Sequence, residues 1–111
     1  MEINKEYIDL DDALARVGGN LGLYKRLLGR FIEGNNFEPL ENAIKSGDME
    51  EASRQAHSIK GVSANLSLVK IRTAALDLEQ KIKGNLDCTE SLAGLKQAFN
   101  ETVENSAEIL N

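Results

Sequence analysis

A single histidine, His57, stands in this 111-residue chain, and its neighbours have the types and spacing of a reactive site. Lys60 follows after three residues, Gly61 after four and Ala64 after seven, which gathers them on one face of any helix running through the segment. A free imidazole titrates near ~6.5, so at neutral pH it is mostly uncharged and nucleophilic without an activating triad. The lysine places an ammonium about one turn away. A glycine inside an exposed helix costs about 1 kcal/mol relative to alanine, and with the small Ala64 it leaves a bare strip where the backbone of a second molecule can come close. Nucleophile, cation and cleared surface together suit a group carrying several negative oxygens, and a phosphoryl group is the natural candidate. Each residue alone has a plainer reading, as an incidental surface histidine, a solvated lysine and a tolerated helix defect; only the conjunction is informative.

Helices must position these residues. Leu, Ala, Glu and Lys are abundant, whereas there is one proline and no tryptophan, a composition that favours helix over sheet. Apolar spacing and punctuation divide the chain into six helical segments. Asp9 caps a short first stretch that Gly18-Gly19 stops, and Asn20 caps a second, striped by Leu23, Leu27 and Phe31, that ends near Gly34-Asn35-Asn36. A third carries Pro39 in its first turn and runs to Ser46-Gly47. Asp48 and Glu51 have capping-box spacing and open a fourth, in which Met49, Ala52, Ala56, Ile59, Ser63 and Leu66 trace one face. His57 projects roughly 140° from the mean of that stripe and so faces water. Ser67 is placed to cap a fifth segment, Leu68 to Ile82, closed by Gly84-Asn85, and Asp87 or Thr89 starts the last, which reaches Leu110. Short connections force consecutive helices to lie antiparallel. The expected fold is all-α: an antiparallel up-and-down four-helix bundle with short accessory N-terminal helices, forming one domain over residues 1–111.

Charge and cysteine content narrow the function. Eighteen acidic against 13 basic side chains leave a net charge of -5, without the cationic excess that phosphate backbones or anionic membranes require. Nucleic acid is therefore not an expected partner. Cys88, the only cysteine, excludes an intramolecular disulfide and fits a reducing compartment. No apolar run approaches the roughly 18 to 20 residues that span a bilayer, and Met1-Glu2-Ile3-Asn4-Lys5 shows no leader pattern, so a cytoplasmic location without membrane insertion is expected. A free-standing protein and a piece from the C-terminal end of a larger, membrane-bound one both fit.

The run Ala56-His57-Ser58-Ile59-Lys60-Gly61-Val62-Ser63-Ala64-Asn65-Leu66 resembles the signature of the histidine-containing phosphotransfer (HPt) domain. That signature reads His, any residue, a hydrophobic residue, Lys, Gly, then small residues ending in Asn-Leu-Gly. Leu78-Glu79 resembles the Leu-Glu pair of the family's following helix, and Leu14-Ala15-Arg16-Val17-Gly18-Gly19-Asn20 its usual N-terminal run, so the likeness covers most of residues 9 to 84. Ser67 departs from it, standing where the family usually has glycine; a good cap there is expected to alter the turn and not the chemistry.

By this resemblance His57 is the phospho-acceptor, Lys60 steadies the phosphoryl charge and Gly61 admits the partner. Glu79 stands where the family often uses Gln or Glu to hold the imidazole through Nδ1, leaving Nε2 free to attack. Antiparallel packing brings Glu79 within about one turn of His57, although an ordinary boundary carboxylate remains an equal reading. The expected activity is a reversible phosphorelay: His57 takes a phosphoryl group from the aspartyl phosphate of a response-regulator receiver domain and passes it to another receiver. An upstream hybrid sensor histidine kinase loads the relay, and Mg²⁺ belongs to the receiver, with no cofactor intrinsic to this chain. Gly18-Gly19 is no nucleotide-binding fingerprint, so no autophosphorylation from ATP is expected. Docking is assigned to Ser53, Arg54, Lys60, Gly61, Ala64 and Asn65, and the chain is expected to be a monomer. The main alternative is a non-catalytic helical adaptor that binds a signalling partner through the same face. A metal-binding bundle or a hydrolase is poorly supported by one histidine without a Glu-x-x-His motif or a nucleophile elbow.

Overall fold

The computed structural model describes residues 3–111; Met1 and Glu2, which open the run read for a leader pattern, lie outside the described residues. Six helices follow one another: α1 Leu10–Arg16, α2 Leu21–Gly34, α3 Glu38–Ser46, α4 Met49–Asn65, α5 Val69–Lys83 and α6 Thr89–Leu110. Local chemistry accounts for most of their ends. The carboxylate of Asp9 accepts from Asp12 N–H, the amide oxygen of Asn20 from Leu23 N–H and the carboxylate of Asp48 from Glu51 N–H. The reciprocal half of the expected capping box is not made. Glu51 turns to Arg54 and Gln55 instead, and Asp48 N–H donates to the Ala43 carbonyl of the preceding helix end.

Helices α4, α5 and α6 form three walls of the bundle. The fourth is shared: α2 lies against α6 and is tied by Tyr24 to Leu66 at the end of α4, and α3 continues the wall against α4, with Glu41 paired to Lys96 of α6. At their junction Phe31 and Phe37 both pack edge-on against Phe99, with centroids 5.9 and 5.4 Å away. The break at Asn35-Asn36 divides this wall, leaving α1 and residues 3–9 as the accessory part. Leu28, Leu40, Ala52, Ile71, Leu78 and Leu95 are fully shielded inside. Ala52, Ala56 and Ala75 let α4 and α5 approach closely.

The turn after α4 differs from expectation. Ser67 does not cap α5, whose N-cap is Leu68 with no side-chain bond. The turn is closed by Ser67 N–H on Ala64 and Leu68 N–H on Ser63, a Schellman pattern that puts Ser67 in the left-handed region at φ 57°. A non-glycine residue there costs roughly 1 kcal/mol, which the hydroxyl offsets by donating to Asp12 Oδ2 at 2.6 Å. The serine thus keeps a glycine-like turn and ties it to α1. Asn85 at φ 54° plays the same left-handed part after α5. Cys88, the N-cap of α6, likewise makes no side-chain cap bond; the Asp87 carboxylate instead accepts from Thr89 N–H and its hydroxyl.

A second tie secures the end of α4. Tyr24, 1% exposed, donates its hydroxyl to the Leu66 carbonyl at 2.7 Å. Tyr24→Phe leaves that buried carbonyl without its donor and should lower stability by about 1–3 kcal/mol, read as a shift of the urea midpoint without a change in slope.

Candidate functional site

The site is built on two antiparallel helices. Helix α4 buries Ala52, Ala56, Ile59 and Ser63, which leaves the opposite side of the helix at the surface. His57 lies there with 69% of its side chain exposed. From α5, Glu79 enters beneath it, with its carboxylate almost wholly covered. Glu79 Oε2 lies 2.9 Å from His57 Nδ1, and Oε1 accepts from Lys60 Nζ at 2.7 Å. A buried carboxylate is tolerable only when charges and donors compensate it, and here both oxygens are engaged. Lys83, one turn further along α5, brings Nζ to 3.7 Å from Oε2.

The electrostatics assign the proton. The Lys60 ammonium, ahead of the His57 contact, holds the Glu79 carboxyl below the ordinary carboxylate range even though burial opposes this. The carboxylate is therefore ionised at neutral pH and can only accept. Nδ1 must then be the donor and carry a ring proton, so in the neutral imidazole the lone pair is on Nε2. This arrangement makes a nucleophile with a fixed tautomer, seated beside a cation.

Because folding lowers the Glu79 titration, its contribution is present above pH 4.5, the ordinary value, and is lost as pH falls through the lower folded-state value. Chemical denaturation should show the wild type more stable than Glu79→Gln at pH 7, with the gap narrowing as pH falls below 4.5. A gap that persists at low pH would mean that packing of the side chain, and not its charge, matters.

The remaining positions singled out in the sequence fall around the ring. Arg54, Gly61 and Asn65 are exposed, while Ser53 and Ala64 are half-buried, and all lie within about 80° of His57 on the helix wheel. A side-chain carbon added at Gly61 would meet no protein atom within 4 Å, so nothing inside the molecule requires a glycine there. Arg54 is engaged by Glu50 and Glu51, whereas Lys60 and Lys83 both approach the carboxylate that holds the ring. Sequence reasoning missed Lys83, although its four-residue spacing from Glu79 is the available signal. It also missed an open groove between α2 and α4, floored by Leu27, Phe31, Ile59 and Val62, that begins at Ser58 beside the histidine.

A helical bundle that presents one exposed, carboxylate-held imidazole on its surface defines a class of group-transfer domain. Comparison with known families matches residues 28–108 to the Hpt domain, and the chain belongs to that family. It is accordingly a histidine phosphotransfer domain of phosphorelay signalling, a kind of domain that interacts with receiver domains. No curated protein and no solved structure matches the chain. No helix among the described residues is long and apolar enough to cross a membrane.

Proposed function

We propose that His57 Nε2 accepts a phosphoryl group from the aspartyl phosphate of one response-regulator receiver domain and passes it to another. The observation that carries this is the Nδ1 contact with ionised Glu79, which frees Nε2 toward solvent on an otherwise unobstructed surface. In the loading step the Nε2–P bond forms as the acyl O–P bond breaks, and the aspartate carboxylate leaves with its electron pair. The Nδ1 proton stays on the ring against Glu79. Transfer of this kind proceeds through a loose in-line transition state, so the work is positioning and charge stabilisation. Lys60 supplies positive charge on this side, and the receiver's acidic pocket and Mg²⁺ supply the rest. An upstream hybrid sensor kinase charges the first receiver.

Gly61 and Ala64 leave the strip along which the receiver approaches, and Ser53, Arg54 and Asn65 rim it. The reading is tested by incubating the chain with phosphorylated receiver domains of its source organism. A phosphate on this chain that is labile in acid and stable in alkali, as an N–P bond requires, is the expected result. A protein that binds receivers yet never acquires such a phosphate would be an adaptor instead.

A further inference from the structure

Resting on the proposed phosphoryl transfer to His57, the arrangement of charges around Glu79 assigns a part to Lys83. Glu79 has one cation in direct contact, Lys60 at 2.7 Å, and a second, Lys83, at 3.7 Å from the oxygen that holds His57 Nδ1. Lys60 thus faces two demands. Before transfer it neutralises a carboxylate that is only 4% exposed, and on the proposed reading it also steadies the phosphoryl charge during transfer. One ammonium turning toward the phosphoryl group loosens its bond to Glu79, and a buried carboxylate left short of positive charge resists that turn.

We propose that Lys83 is a positioning residue that takes over as counter-ion of Glu79 when Lys60 swings to the phosphoryl group. It is well placed for this: it sits on the same helix as Glu79 at the i,i+4 position, its side chain is 65% exposed and free to move, and it needs less than 1 Å to reach direct hydrogen-bond distance of about 2.8 Å. With Lys83 closing on Oε2, the carboxylate stays ionised, Nδ1 keeps its proton, and Lys60 is released without leaving an unpaired charge. Lys83 itself never needs to touch the phosphoryl group.

The two roles open to Lys83, acting through Glu79 or acting directly on phosphate or partner, separate in a double-mutant cycle with phosphoramidate as donor. This small donor removes receiver docking from the measurement. Lys83→Ala should slow His57 labelling about three- to fivefold, the scale of one exposed charge contact, with Lys83→Arg restoring it and helix content unchanged. In a Glu79→Gln background no carboxylate needs compensating, and Lys83→Ala should change the rate no further. An equal loss in both backgrounds, or no loss in the first, overturns the assignment. Absence of any phosphohistidine in the wild type would instead overturn the phosphotransfer reading on which it rests.

Discussion

Replacing His57 by glutamine should abolish receiver-dependent phosphorylation of the chain while leaving its helix content unchanged. The side chain is 69% exposed, so its removal empties no cavity, and among its hydrogen bonds only the one from Nδ1 to Glu79 disappears. Lys60 remains to neutralise that carboxylate at 2.7 Å, so no uncompensated buried charge is created. The glutamine amide has neither a nucleophilic lone pair nor the means to form the N–P bond. The fall should therefore reach the detection limit of a labelling assay, with circular dichroism as the control. Retained acid-labile phosphate in that variant would place the acceptor elsewhere.

Gly61 gives the second large effect, and in the opposite sense for stability. Its added carbon would meet nothing within the molecule, so Gly61→Ala should stabilise the helix by about 0.5–1 kcal/mol through the ordinary propensity difference. Gly61→Gln gains a similar propensity but extends a side chain over the strip beside His57, along which a receiver approaches in the proposed docking. Transfer from a phosphorylated receiver should then fall at least ~10-fold, the effect of a clash worth a little over 1 kcal/mol at the centre of a small interface. Labelling by phosphoramidate, which needs no docking, should survive. If receiver transfer in Gly61→Gln equals that of the wild type, close approach at this position is not part of recognition.

The helix that carries the site is legible in the sequence because the information is local. A 3.6-residue period decides from the chain alone that Ala52, Ala56, Ile59 and Ser63 point inward and His57 outward, and Asp9, Asn20 and Asp48 cap through bonds to residues three further on. The spacing of His57, Lys60, Gly61 and Ala64 fixes their common face for the same reason. Contacts across elements are another matter. Whether Glu79 lies under the ring or a turn away depends on the axial stagger of α4 against α5, which the turn at residues 66–68 sets and no periodicity encodes. At that turn local preference points the wrong way: serine favours caps, but Schellman closure of α4 demands a left-handed residue at position 67, and Asp12, 55 residues distant, supplies the partner that makes serine acceptable there. The pairing of Lys60 on α4 with Glu79 on α5 and the sharing of one wall by α2 and α3 belong with these. Their energies come from charges and rings brought together by packing, so only the assembled bundle could decide them.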